Sequence, residues 1–202
     1  MTKKCYALLR IRSVQWTLLC EHHNEMSVKS FVRNNFFDGR FLTTEDLARE
    51  QNYFREKQKL HNRALHGFGV VYGLDVSQRP GKLVITAGLA IDCQGNEIVV
   101  DEPVELYFPQ TVADSSTYLS LRYHEQQSGW VTTEEPGKFT CALRIEESFI
   151  ADFINVNLNQ RHRHLKGRWK ACGTPHGLVI ARLRFTSGQW RVDRRFHRPL
   201  VK

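Results

Sequence analysis

Residues 43–76 read TTEDLAREQNYFREKQKLHNRALHGFGVVYGLDV, and the change of period inside this stretch decides the fold. Thr43 followed three residues later by Asp46 has the form of a capping box. Glu45 and Asp46 put acids in the first turn, where the helix dipole favours them, and Gly67 stands where a C-terminal cap belongs. These signals predict a helix over residues 44–66. Leu47, Phe54, His61 and Leu65 recur on one face, widened by Tyr53, Leu60 and Ala64, while Arg49, Glu56, Lys57 and Lys59 supply a polar side. Such a stripe is expected to pack on a body. After Gly67 the period becomes that of strands.

Working downstream, residues 68–77, 82–86, 89–92 and 97–100 are short β-branched or apolar runs. Arg79-Pro80-Gly81, Ala87-Gly88 and Gln94-Gly95-Asn96 separate them with turn chemistry, which is the signature of a meander. Further strands are expected at 104–108, 118–124, 139–145, 177–185 and 190–193. Between them lie a polar loop, 125–138, and an amphipathic stretch, 146–159, that suits a second short helix. The predicted class is β-rich α+β: one N-terminal helix followed by an antiparallel meander, sandwich or partly open barrel. Upstream, residues 1–25 lack a clean period and a small-x-small cleavage site, so they read as a poorly patterned extension, with an edge strand at 6–14 as the alternative. A single β-rich domain over 26–202 follows.

Composition bounds the function. Of 202 residues, 41% are hydrophobic and 25% charged, a globular balance that excludes disordered, collagenous and coiled-coil classes. No apolar run approaches the roughly 18 residues of a membrane span. Cys5, Cys20, Cys93, Cys141 and Cys172 are odd in number and form no C-x-x-C pair, which argues against a disulfide framework or zinc ribbon and fits a reducing compartment. The net charge of +8 is unevenly placed: residues 161–202 carry +11 and residues 1–160 carry −3. A basic face of that kind can meet phosphate, anionic lipid or an acidic protein.

Candidate chemistry is sparse. Gly67, Gly69 and Gly73 are spaced G-x-G-x-x-x-G after a helix, whereas a dinucleotide loop must open one, so they read as structural turns, as does Gly39. His61 and His66 would stand about 140° apart around an α-helix, which disfavours a shared metal, and His61 is expected to make a buried hydrogen bond. Arg63 and His66 are expected to meet the helix dipole. His162 and His164 are flanked by cations, and no acid or thiolate stands near them to complete a ligand set. The decamer 161–170 supplies cations and one stacking ring, Trp169, enough for nonspecific nucleic-acid binding but without a recognition pattern. G-x-S-x-G, H-E-x-x-H and Walker A sequences are missing, and the paired carboxylates are adjacent, hence solvated. The expectation is no catalytic residue, no cofactor and no metal.

Several segments carry a resemblance: residues 35–47 (NFFDGRFLTTEDL), 61–76 (HNRALHGFGVVYGLDV), 87–92 (AGLAID) and 95–100 (GNEIVV), then 141–149 (CALRIEESF) and 178–185 (LVIARLRF). In that order they resemble small proteins of phage-tail-like contractile injection systems and their baseplates, over most of residues 34–202 but not 1–25. Gly39-Arg40-Phe41-Leu42 followed by Leu47, Gln51 and Tyr53 is similar to the start of the type VI secretion baseplate subunit that connects to fibre-like receptor domains. The resemblance implies a cytoplasmic structural or adaptor subunit that works through protein–protein contacts with other baseplate subunits, and through self-association, without cofactor or turnover. Residues 155–170 are more basic and His-rich than that group leads one to expect, and the chain ends without the long extension a second, partner-specific domain would need. The competing readings are a polyanion or nucleic-acid binding module built on residues 161–202, and an uncharacterised hydrolase.

Two features mark the expected contact surface. Phe36, Phe37, Phe41 and Leu42 surround the Asp38-Gly39 turn with more apolar surface than a lead-in to a helix needs. Arg161, Arg163, Lys166, Arg168 and Trp169 form the basic strip. Phe37 and Phe41 are the expected anchors, and the strip is expected to steer a partner and fix its register.

Overall fold

The computed structural model describes residues 30–110, 116–132, 140–159 and 176–201. The chain divides into a short unit, Met1–Phe31, and a large one, Val32–Lys202, to which the helix and all described strands belong. The expected extension 1–25 and the decamer 161–170 lie outside the described residues.

Helix α1 spans Thr44–His61 and runs on as a π-helical turn, Asn62–His66. Its start is the capping box read from the sequence: Asp46 N–H donates to Thr43 Oγ1 at 3.2 Å, and Thr43 N–H donates to Asp46 Oδ2 at 3.1 Å. Ten strands are described after it: β1 (Gly69–Gly73), β2 (Val76–Arg79), β3 (Lys82–Ile85), β4 (Gly88–Ile91), β5 (Glu97–Val100), β6 (Val104–Tyr107), β7 (Ser116–Thr132), β8 (Thr140–Ile154), β9 (Leu178–Thr186) and β10 (Gln189–Val192). They form antiparallel sheets ordered β1-β4-β5, β2-β3-β6 and β10-β9-β7-β8, with one sheet curled into a half-barrel. The expected class, a helix followed by antiparallel sheets, is what the chain adopts.

The first two sheets share one bent hairpin. β1 and β2 form one arm, interrupted at Leu74 and Asp75, and β3 and β4 form the other, interrupted at Thr86 and Ala87. Gly73 pairs with Gly88 on one side of the bend and Val76 with Ile85 on the other. Backbone bonds Leu74 N–H to Ala87 O (3.3 Å) and Thr86 N–H to Asp75 O (3.0 Å) carry the ladder round the corner. The arms approach so closely that a Cβ on Gly73, whose φ is +61°, would lie 2.0 Å from the Ala87 carbonyl oxygen. Leu74 itself has φ of 57° and no exposed surface. Burying a leucine is worth about 1.5–3 kcal/mol, enough to hold a left-handed residue that costs roughly 1–2 kcal/mol.

That corner lies in the core. Val70, Leu74, Ile85, Ala90, Ile98 and Val100 pack with Leu119, Leu121, Leu178, Ile180 and Ala181 of β7 and β9. A second cluster joins Leu83, Leu183 and Trp190, with the Trp190 indole N–H donating to Pro109 O at 3.1 Å. The C-terminal segment closes the outer edge of β1: Val70 N–H donates to Pro199 O (2.8 Å) and Val201 N–H to Val70 O (3.0 Å).

Two expectations are corrected. Residues 125–132 continue β7 instead of looping, and residues 146–154 belong to β8 instead of a second helix. Phe149 and Phe153, like Ile150 and Ile154, are four apart, a spacing that satisfies one helical turn and two strand repeats equally. β9 covers β7 only as far as Leu121, so the outer part of the β7–β8 ribbon is a two-stranded projection with Trp130, Leu143 and Ile145 exposed.

Candidate interaction surface

The sequence predicts that α1 packs its apolar stripe inward, and the structure reverses this. No residue of α1 is buried, and Leu47 (56%), Phe54 (62%) and, on the π turn, Leu65 (67%) are largely exposed. Polar groups attach the helix to the strands. Asn62, 3% exposed, donates from Nδ2 to Gly95 O (3.0 Å) and to Glu97 Oε1 (3.1 Å). Gln58 Nε2 donates to the same Glu97 oxygen at 3.0 Å, Arg63 donates to Gln94 O, and Arg55 pairs with Glu125. Tyr123 donates to Glu125 at 2.9 Å, and burial, then this bond, pushes the phenol well above its ordinary range. At the β4–β5 turn a Cβ on Gly95 would sit 2.2 Å from Lys59 O, so only glycine lets helix backbone and turn touch.

The arm before the helix is fixed by similar means. Asn34 Nδ2 donates to Asp46 O (2.7 Å), while Arg40 donates to Asn35 O (2.6 Å) and pairs with the Asp46 carboxylate (2.7 Å). Hydrogen bonds from the Thr43 amide and hydroxyl, and then the Arg40 charge, hold Asp46 below the usual carboxylate range. The turn at Asp38 and Gly39, with Gly39 at φ +87°, is thereby set, and Arg40 lies 5.7 Å from the centre of the Phe36 ring. Phe37 and Phe41 point to solvent, Phe41 with 93% of its surface exposed. Arm and helix therefore present apolar side chains outward from a hydrogen-bonded, ion-paired frame.

The other candidate positions divide. Gly67 ends the π turn at φ +78° with open space around it, and Gly69 abuts the backbone of Pro199 and Leu200; both have structural surroundings. Arg63 is engaged by a strand turn and not by the helix end alone. His61 is exposed, contrary to expectation, and its Nε2 lies 3.3 Å from that of His66. The 140° separation assumes an α-helix; here Gly67 N–H bonds to Asn62 O in the i→i+5 pattern, which stacks residues five apart. No periodicity in the sequence signals that turn. Arg161, Arg163, Lys166, Arg168 and Trp169 lie outside the described residues.

Part of the C-terminal charge is neutralised. Arg182 and Arg184 both meet Asp193, and Arg198 bonds to Leu74 O and to Asp75 (2.8 Å). Burial opposes the Asp193 charge, but bonds from Arg182 and the Arg195 amide outweigh it, and its pKa is lowered. Cys93 Sγ lies 3.8 Å from His176 Nε2, while the neighbouring Asp92 carboxylate accepts from the Gln94 and Asn96 amides. That carboxylate caps a turn. No described helix is long and apolar enough to cross a membrane.

A helix-led β domain that turns an apolar arm and helix face outward has recognisable relatives in fold. A chain of the TssK–TssF–TssG baseplate subcomplex of the type VI secretion system superposes with a TM-score of 0.52 at 15% identity, covering 85% of this chain and 62% of that one. A chain of the baseplate complex from the type VI secretion system gives 0.52 at 16%, covering 85% and 60%. The protein thus resembles, distantly, type VI baseplate subunits, as its motifs suggest, and spans about three fifths of the length of the chains it matches. No protein-family description and no curated protein matches the sequence.

Proposed function

We propose that the protein is a structural or adaptor subunit of a contractile injection or phage-tail-like particle, acting in the cytoplasm through protein–protein contacts and without catalysis. The observation that carries this reading is the outward apolar surface of Phe37, Phe41, Leu47 and Phe54 on a frame whose fold is shared with baseplate subunits. A rigid frame lowers the ordering cost of binding, and aromatic anchors supply the interface core. The partners are other baseplate-like subunits and further copies of the chain, with Arg161, Arg163, Lys166, Arg168 and Trp169 steering the approach.

The test is sedimentation, together with pull-downs of neighbouring tail-like subunits, for the wild type, Phe37→Ser and Phe41→Ser. Association that weakens in the variants while their melting temperatures stay unchanged supports the reading. A strict monomer at high concentration that recovers no such subunit overturns it.

A second reading, polyanion binding by residues 161–202, draws on the +11 charge of that segment and on Arg191, Arg194 and Arg195, which are exposed around β10. DNA affinity falling steeply with salt would favour it.

A further inference from the structure

We propose that His61 and His66 form a chelating site for a divalent transition-metal ion of the zinc class. Their Nε2 atoms are 3.3 Å apart, their ring centres 5.2 Å apart, and the rings are inclined at 57°. Two imidazoles bound through nitrogen to a tetrahedral ion at ~2.0–2.1 Å hold those nitrogens about 3.3–3.4 Å apart and their ring centres about 5.2 Å apart. The observed separations fit two imidazoles on one ion, and without an ion the same two nitrogens lie within hydrogen-bonding distance of each other.

The π turn creates this arrangement. One added residue in the turn brings positions five apart onto one face, and the Asn62 and Arg63 bonds to the β4–β5 turn hold the segment against the strands. Both imidazoles are exposed, so an ion can enter from solvent and water can complete its shell. The site lies at the C-terminal end of the helix, where the dipole favours a cation. Nitrogen donors select zinc, nickel or copper over magnesium and calcium, which take oxygen. Among the described residues no group of three or more His, Cys, Asp or Glu is placed to hold an ion, so this is a two-ligand, exchangeable site.

The chain has nine histidines, so total zinc uptake would not isolate the pair. The full-length protein is therefore treated with diethyl pyrocarbonate, with and without zinc chloride, and the modification of each histidine is followed by peptide mass spectrometry. Zinc is expected to slow modification of both His61 and His66 by about tenfold, while magnesium has no effect. In His61→Gln the protection of His66 should vanish, and in His66→Gln that of His61. Equal rates with and without zinc in the wild type overturn the proposal, and so does protection of His66 that survives His61→Gln. The wild-type comparison decides alone if a variant does not fold.

Discussion

Asn62 donates from its carboxamide to the Gly95 carbonyl at 3.0 Å, joining the turn that ends the helix to a strand turn 33 residues away. The same carboxamide reaches Glu97. The helix has no fully buried residue and only Tyr53 and Leu60 of its apolar stripe are half-buried, so this buried polar contact and its neighbours help fix the direction in which the apolar face points.

Asn62→Ala should therefore destabilise the protein by about 1–3 kcal/mol, the cost of leaving a buried carbonyl and part of a carboxylate without partners. Urea unfolding measures it. A loss under about 0.5 kcal/mol, the range of a neutral surface change, would mean that the helix is held by other contacts.

At the hairpin bend, Gly73→Ala should cost more than Gly67→Ala. The first places a Cβ 2.0 Å from the Ala87 oxygen, whereas the second meets open space and bears only the backbone strain of a region that favours glycine, about 1–3 kcal/mol. Thermal melts of the two variants should keep that order.

Asp193 predicts a pH dependence. Its folded pKa is lowered, so ionisation contributes stability that is fully present above the unfolded value near ~3.9 and is lost as pH falls through the folded value. Asp193→Asn should lower the urea midpoint by a constant amount from pH 8 to about 5, and the gap should narrow below about pH 4. A gap independent of pH down to 2 would mean that Arg182 and Arg184 do not depend on that charge.

The sequence makes some of this legible and hides the rest for identifiable reasons. Thr43 and Asp46 announce the helix start because capping is local chemistry, and the glycine and proline turns mark most strands of the meander. The stripe of Leu47 and Phe54 is visible as a stripe, but which way it faces depends on Asn62 meeting Gly95, a contact remote in sequence. The nearness of His61 to His66 is hidden because a single π turn leaves the hydrophobic period almost untouched. Phe37 and Phe41 are readable as candidate anchors from their excess around one turn, while Leu47, Phe54 and Leu65 carry a period that points equally well to an inward face.

The edge of β1 has a consequence for the order in which the chain folds. The β7–β8 ribbon zips residues as few as 8 apart, such as Thr132 with Thr140, whereas Val70 must wait for Leu200. Loop closure favours the near pair, so the bridge to Leu200 is expected to form after the rate-limiting step, leaving β1 until then with an open strand edge that invites intermolecular pairing. Val201→Pro removes the N–H that bonds to Val70 O, and it should speed unfolding while leaving the refolding rate unchanged in stopped-flow measurements. Slower refolding instead would put the bridge in the nucleus. With late closure, the protein is expected to be most prone to aggregate before the β1 edge is covered.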